Sequence, residues 1–227
     1  MVTGQTSEKT EWTVLIRTAA GRVVLALALV GLVASCASPQ RRVDSQGRTH
    51  FDTPPEELER LRSAPVCCRT FAQFPFEPLD LRKGGRISFR IDHASPAFNF
   101  DWGKSYFKAF SLPPAKEYYS MVVESSGYFA HAALTLDADF RVMSDWRARD
   151  RLAFNAVGRF PIAYLRREVV IRPADRYLVI FTTDELLRSA TVTRETLKLG
   201  LGESTSTHVH WHSPTGQLSI TQPYPAD

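Results

Sequence analysis

The sequence predicts an all-β protein: an antiparallel β-sandwich of the jelly-roll type with one or two short helices. Residues 86–221 contain nine or ten short segments with strand-like patterns, several of which alternate apolar and polar side chains, and turn residues separate them. Long amphipathic helical patterns are missing from the same region. A hydrophobic share of 44% beside 23% charged residues is typical of a folded globular protein.

Each predicted element follows from its local pattern. The predicted strands are residues 86–92, 98–102, 105–112, 117–125, 132–138, 140–143, 168–171, 176–183, 208–212 and 217–221. Residues 147–166 have no clear period and predict a long loop with one weak strand. Ser-Pro-Thr-Gly at 213–216 predicts a hairpin turn. A brief helix is expected over 184–190, capped by Thr183 or Asp184.

The N-terminal region has the pattern of a targeting segment. Residues 23–35 (VVLALALVGLVAS) are an apolar run of 13 residues that follows Arg17 and Arg22. A helix needs roughly 20 apolar residues to cross a bilayer, whereas a short run with a basic flank is typical of a signal peptide. We therefore expect residues 1–35 to be a signal peptide, and an uncleaved anchor helix is the alternative.

The end of this run adds a more specific feature. Val33-Ala34-Ser35-Cys36 resembles the bacterial lipobox, in which the Cys thiol receives diacylglycerol and the signal is cut off before it. The resemblance implies that Cys36 is the first mature residue and carries several acyl chains, as stable anchoring requires. Inner-membrane lipoproteins commonly have Asp at the next position. Ala37 therefore favours a periplasmic protein anchored to the outer membrane.

The remaining chain divides into a tether and a domain. Residues 37–53 are polar and almost free of apolar periodicity, which predicts a tether. Prolines and acids at 54–57 predict a short helix that ends near Ser63, with Thr53 as its cap. We therefore assign residues 36–63 to the tether and short helix, and residues 64–227 to the β-sandwich domain.

The charge balance argues against nucleic acid as a partner. The net charge is +4, and residues 1–35 contain three basic and two acidic side chains, so that +3 remains after them. The basic residues are spread along the chain without a dense run or a nucleic-acid motif. The expected partners are therefore the membrane, through the lipid anchor, and an oligosaccharide or an envelope protein.

Cys67 and Cys68 are the two cysteines that remain after Cys36. An even number suits an oxidising compartment. Neighbouring Cα atoms are about 3.8 Å apart, below the usual range for disulfides. A vicinal disulfide that acts as a rigid apolar clamp and a pair of buried thiols both stay open.

Five stretches in a fixed order resemble the maltose operon periplasmic protein family. They are PVCCRTFAQFPFEPLDL, FNFDWGKSYFKAFSLPPAKEYYSMVVESS, LTLDADFRVM, RYLVIFTT and HSPTG, and together they span roughly residues 65–221. The resemblance implies a secreted β-sandwich envelope protein, linked in some members to maltodextrin uptake. This chain departs from the family by its lipobox, since the family is usually described as soluble and periplasmic.

Three histidines share one face of a predicted strand. His208, His210 and His212 alternate, so their rings point to one side. Three histidines form the ligand set of several zinc enzymes, yet three in a row on a flat strand converge poorly on one ion. A polar strand face is therefore the favoured interpretation, and a metal site is the weak alternative.

Aromatic residues make up 11% of the chain. Trp146 lies beside Asp145 and three arginines in a predicted loop, where binding residues are common. Trp146, Trp102 and Tyr106 are therefore the candidate ligand-binding residues. The alternative is that most of these rings fill the core of the sandwich.

The sequence contains no GxSxG element, Walker loop or dinucleotide fingerprint. We therefore expect an envelope lipoprotein that binds a ligand without catalysis and without a cofactor, accessory to carbohydrate uptake. The alternatives are a structural or protein-interaction component of the outer-membrane envelope and a metal-dependent hydrolase.

Overall fold

The computed structural model describes residues 40–81, 85–126, 128–147, 153–157, 162–199 and 202–222. These ranges are mostly β-strand with two helices, which confirms the predicted all-β sandwich. The predicted signal peptide and Cys36 lie outside the described residues. No helix in the described part is both long and apolar enough to cross a membrane.

The described residues contain sixteen strands, two α-helices and one 3-10 turn at Phe71–Gln73. The helices are α1 (Pro55–Ser63) and α2 (Asp184–Leu187). The strands are β1 (Gln40–Val43), β2 (Thr49–Asp52), β3 (Glu77–Pro78), β4 (Arg86–Ile91), β5 (Ala97–Phe100), β6 (Gly103–Tyr106), β7 (Lys108–Ser111), β8 (Tyr119–Ser126), β9 (Ala132–Leu136), β10 (Val142–Trp146), β11 (Ala153–Val157), β12 (Ile162–Ile171), β13 (Tyr177–Phe181), β14 (Ala190–Leu199), β15 (Gly202–Trp211) and β16 (Gly216–Thr221).

The strands form three sheets and one separate hairpin. Sheet I has the order β1-β2-β15-β14, sheet II the order β10-β9-β13-β7-β3, and sheet III the order β11-β12-β8-β16-β4. Strands β5 and β6 pair with each other as the separate hairpin. Most pairs are antiparallel, and β2 with β15 and β3 with β7 are the parallel pairs between these strands.

The main core lies between sheets II and III. Leu178 and Ile180 of β13 belong to the same buried cluster as Met121 and Val123 of β8. Residues between them along each strand face away, as the period of two requires. On sheet III those outer positions include charged side chains, such as Glu124, which forms an ion pair with Arg86 at 3.7 Å.

Sheet II is buried on its other face as well. Every residue of β9 is buried, as are the last four of β13, so these central strands have two apolar faces. Leu134 and Val179 of this outer face pack in a second cluster with Phe74, Phe100 and other rings. The segment 70–76 and the β5–β6 hairpin therefore form a covering layer, called here the aromatic cap.

The predicted tether is wrong over residues 40–52, which form a hairpin of β1 and β2 joined to sheet I. Asp44 makes the turn: its Oδ1 accepts the N–H groups of Gln46 and Arg48 at 2.9 and 3.0 Å, and Gly47 has φ +74°. Hydrogen bonding from His50 is the main cause that lowers the pKa of Asp44. Strands with this polar composition lack the apolar period by which strands are recognised.

The predicted helix at 54–63 is present, but Thr53 does not cap it. The Thr53 hydroxyl lies 2.9 Å from the His212 carbonyl and donates to it, and Pro54 is the cap residue. At the other end, Lys104 Nζ of β6 donates to the carbonyls of Arg62, at 2.8 Å, and Ala64. A cation is favourable at a helix C-terminus, so this contact ties α1 to the β5–β6 hairpin.

The predicted cap of the second helix, α2, is confirmed, since Thr183 Oγ1 accepts a hydrogen bond from the Leu186 N–H.

Two other predictions are wrong in detail, and one strand was missed. Within 147–166, predicted to be a long loop with one weak strand, residues 153–157 form β11 and residues 162–166 begin β12, and β14 lies where no strand was predicted. The turn at 213–216 does not close a hairpin, because β15 lies in sheet I and β16 in sheet III. Alternation shows which face a side chain takes, but it does not show which strand is the neighbour.

The predicted strand at 140–143 begins later, because Phe140 is part of a turn. Asp137 Oδ1 accepts the N–H groups of Asp139 and Arg141, both at 2.9 Å. Phe140 takes φ +62° in this turn, the left-handed region that costs a residue with a side chain about 1 kcal/mol or more. Its ring stacks 4.8 Å from Tyr177, which compensates for this backbone cost.

The histidines of β15 are packing residues. His210 stacks between Phe51 and Tyr128, with ring centroids at 4.7 and 4.1 Å and nearly parallel planes. The hydroxyls of Tyr128 and Thr193 lie 3.3 and 3.2 Å from its Nε2. Burial, and secondarily the neighbouring His208, lower the pKa of His210 to about 4.

His131 is the second buried histidine with a lowered pKa. It is fully buried, and Arg167 Nε donates to its backbone carbonyl at 3.0 Å. Burial first and the Arg167 charge second lower the pKa of His131 to about 3. Both imidazoles are therefore neutral in the folded chain at neutral pH.

Stability should fall as the pH drops from about 6.5 to 4. In this window an unfolded chain, with histidine pKa values near 6.5, binds protons that folded His210 and His131 do not bind. The free energy of unfolding then decreases with falling pH. Urea unfolding of His210→Phe, which keeps the stacked ring, should show proton uptake on unfolding reduced by up to one. An unchanged pH slope would contradict the assignment.

The turn at Phe140 makes a second prediction. Phe140→Gly and Phe140→Ala both remove the ring, but only glycine takes φ +62° without steric cost. We expect the Gly variant to be more stable than the Ala variant by about 1 kcal/mol, measured by urea unfolding. Equal stability, or a more stable Ala variant, would show that this turn is not strained.

Candidate functional site

The aromatic cap leaves a groove on the outer surface of sheet II. The groove has a volume of about 750 Å³, within the range of small-molecule sites. Phe71, Phe98, Trp102 and Phe140 line it as half-buried rings. Its polar lining residues are Arg69, Thr70, Asn99, Asp101 and Asp139. An apolar floor with a polar rim is what a binding site for an amphipathic ligand requires.

The rings of the groove are held from beneath by buried rings. Phe74 contacts Phe98 edge-to-face at 4.9 Å and stacks on Phe107 at 4.1 Å. Phe100 stacks on Phe181 of sheet II at 4.2 Å. Such contacts add about 0.5–1.5 kcal/mol each beyond area burial. The exposed parts of the groove therefore lie on a rigid base.

Trp102 is held by both polar and aromatic contacts. The guanidinium of Arg147 lies 3.9 Å from the ring centroid, and Arg147 Nη2 also pairs with Asp145 at 3.0 Å. The ring stacks beside Phe181 at 5.9 Å. The Trp102 carbonyl accepts the N–H of Asp184 at 3.0 Å. These contacts fix the indole in one orientation at the groove.

Gly103 lets the hairpin turn directly after Trp102. It has φ +116°, which residues with a side chain rarely adopt, and a Cβ there would overlap the Asp184 carboxylate. Glycine is therefore required for the hairpin to approach the start of α2. The position of Trp102 depends on this close approach.

The predicted ligand-binding aromatics separate into two groups. Trp102 lines the groove as expected. Trp146 lies at the end of β10 instead of in a loop, is 7% exposed and belongs to the main core. Tyr106 is 2% exposed and also belongs to that core. The prediction was therefore wrong for Trp146 and Tyr106, because neighbouring charges do not reveal which side of a strand faces inward.

The groove contains residues that sequence reasoning missed. Phe71 and Phe98 come from segments that are well separated along the sequence, the 3-10 turn and β5, and Phe140 comes from the turn before β10. The alternation Phe98-Asn99-Phe100-Asp101-Trp102 did contain a signal, since it places Asn99 and Asp101 opposite the buried Phe100. Phe140 carried no such signal.

A second groove adjoins the first. It has a volume of about 610 Å³ and is lined by Val66, Cys67, Cys68, Arg69 and Gln73. Cys67 and Cys68 are joined by a disulfide across a Cα–Cα distance of 3.8 Å. Cys67 is exposed and Cys68 is half-buried, so the interpretation as two buried thiols does not fit the structure. Arg69 lines both grooves.

The three candidate metal ligands do not converge. The His208 and His210 ring centroids are 6.1 Å apart, and His210 is enclosed by its stacking partners. His212 uses Nδ1 toward the Leu186 carbonyl and Nε2 toward the Thr191 hydroxyl, both at 2.9 Å. Within the described ranges, no group of three His, Cys, Asp or Glu side chains could hold a metal ion.

Comparison of the chain with protein-family models, with curated proteins and with solved structures gives no match. The resemblance to maltose operon periplasmic proteins therefore stays a hypothesis from the sequence. Function has to be argued from the geometry of the groove itself.

Proposed function

We propose that this chain is a lipid-anchored envelope protein whose β-sandwich binds a carbohydrate in the groove beside Trp102. The observation that carries the proposal is the groove's combination of half-buried rings with a polar rim. A sugar ring presents C–H groups on its faces and hydroxyls at its edges. The C–H faces pack on aromatic rings, and the hydroxyls form hydrogen bonds with carboxylate, amide and guanidinium groups.

The rim residues are available to bind hydroxyls. Asn99 and Asp101 are exposed on the β5–β6 hairpin. Asp139 forms an ion pair with Arg141 at 3.4 Å, with 69% of its side chain exposed. Carboxylates accept hydrogen bonds from sugar hydroxyls, and Arg69 donates them. These groups can orient a neutral sugar that the rings alone would hold without direction.

The same rim supports binding in preference to hydrolysis. Glycoside hydrolysis needs two carboxyl groups, of which one stays protonated in an apolar pocket. Asp101 and Asp139 are the acidic residues among the described residues that line the groove, and both are exposed. A binding role without catalysis is therefore the function we propose.

A protein partner is the second candidate function, and a different surface favours it. Leu79, Pro113, Pro114 and Tyr118 line a separate groove of about 630 Å³, and Tyr118 is 69% exposed. Apolar, proline-rich grooves with exposed tyrosine are typical of protein contacts. The two surfaces allow the two functions to be tested separately.

Substitution of Trp102 should remove carbohydrate binding. We expect Trp102→Ala to lose at least tenfold in affinity for any glycan that the wild-type domain retains on a glycan array, about 1.4 kcal/mol, measured by calorimetry. Asn99→Ala, at an exposed rim position, should weaken binding without affecting folding. Tyr118→Ala is the matched control and should bind as the wild type does. Binding that survives Trp102→Ala in a folded variant, or no glycan binding by the wild type, would refute the proposal.

Substitution of Cys36 should release the protein from the membrane. The lipobox assigns the acyl chains to its thiol, so Cys36→Ser should lose incorporation of labelled palmitate and move to the soluble periplasmic fraction. Cys67→Ser in the same cells is the control and should stay in the membrane fraction. An intact initiator methionine, or an unmodified Cys36 in mass spectra of the native protein, would contradict the anchor.

A further inference from the structure

The vicinal disulfide lies at the surface in a segment that is hydrogen-bonded to its neighbours. The N–H of Cys67 donates to the Ala97 carbonyl at 2.9 Å, and Val66 forms a bridge with the same residue. The N–H of Arg69 donates to Gln73 Oε1 at 2.7 Å. The turn is thereby attached to β5, the strand whose next residues contribute Phe98 and Phe100 to the aromatic groove.

The second groove, called here the disulfide groove, and the groove beside Trp102, called here the aromatic groove, are connected by two residues. Arg69 lines both of them. The Cys68 side chain also packs against the same aromatic cluster as Phe71 and Trp102. No described residue forms an ion pair with the Arg69 guanidinium. Arg69 is exposed, so its guanidinium N–H groups can donate to a ligand that lies across the junction.

The chemistry of the second groove matches that of the first. Bridging converts two thiols into an apolar surface of polarizable sulfur atoms. Val66, which is 42% exposed, extends this surface. From one end of the joined grooves to the other, the surface therefore presents the apolar disulfide, then the Arg69 cation, and then the aromatic rings. A chain of linked sugars repeats C–H faces and hydroxyl edges in the same alternation.

We infer that the Cys67–Cys68 disulfide forms a second subsite of the carbohydrate site, so that the ligand is an oligosaccharide spanning both grooves with Arg69 at their junction. This inference rests on the proposed function. It names the ligand class, since a monosaccharide or disaccharide would fill the aromatic groove alone. It also assigns a binding role to an exposed disulfide.

Chain length provides the test. Calorimetry with maltose and maltohexaose, and in parallel with cellobiose and cellohexaose and with chitobiose and chitohexaose, compares short and long ligands of three neutral classes. In at least one series the wild type should bind the hexamer at least tenfold more tightly than the dimer. The Cys67→Ala/Cys68→Ala variant should lose this length dependence and bind the hexamer no more tightly than it binds the dimer.

A second variant keeps the disulfide intact. Val66→Ser makes the apolar surface of the disulfide groove polar at an exposed position and should lower hexamer affinity about threefold or more without affecting the dimer. Val43→Ser, at a valine that is 59% exposed in sheet I, is the matched control and should change neither affinity. Dithiothreitol, which passes two electrons and two protons to the disulfide and closes into its own cyclic disulfide, should reproduce the double alanine variant.

The outcomes separate the two proposals. Equal wild-type affinity for dimer and hexamer, or a length dependence that survives Val66→Ser and loss of the disulfide, would overturn the subsite and leave the Trp102 groove in place. Absence of binding in all three series would overturn the subsite, and absence of every glycan from the array as well would overturn the proposed carbohydrate function.

Discussion

The burial of both faces of sheet II is the constraint on which the rest of the structure depends. One face packs against sheet III in an ordinary sandwich core. The other face is equally apolar through Leu134, Val179 and Phe181, so it needs a cover of its own. Segment 70–76 and the β5–β6 hairpin supply that cover with aromatic rings. A thin covering layer cannot bury all its rings, and the groove is the part that it leaves exposed.

The cover is fixed at its ends by polar contacts. Lys104 joins the hairpin to the last carbonyls of α1, and Gly103 admits the hairpin to the start of α2. On the opposite side, the Asp137 turn holds Phe140 in its left-handed conformation against Tyr177. A site whose rings are already ordered loses little conformational entropy when a ligand binds. The rigidity that stabilises the cap therefore also favours recognition.

The sequence predicted strands well where one face is apolar, as at β4 and β8, because the period of two is then visible. It missed strands whose faces are polar, and it did not identify which distant strands are neighbours in a sheet. The β1–β2 hairpin has no apolar period, although Asp44 and Gly47 did mark a turn. The end of β15 faces Phe51 and Tyr128 instead of joining β16. Pairing between distant strands depends on long-range packing, and local alternation contains no information about it.

Long-range packing also explains why Trp102 alone of the three predicted ligand-binding aromatics lines the groove. Trp146 of β10 and Tyr106 at the end of the β5–β6 hairpin both join the buried main core cluster. Trp102 lies in a layer that covers a single sheet, so one side of its surroundings is solvent. Composition near a residue does not distinguish these cases, but the side on which its ring packs does. In a sandwich with an added aromatic cap, binding residues are therefore expected in the cap, and the exposed disulfide at its margin belongs to the same surface.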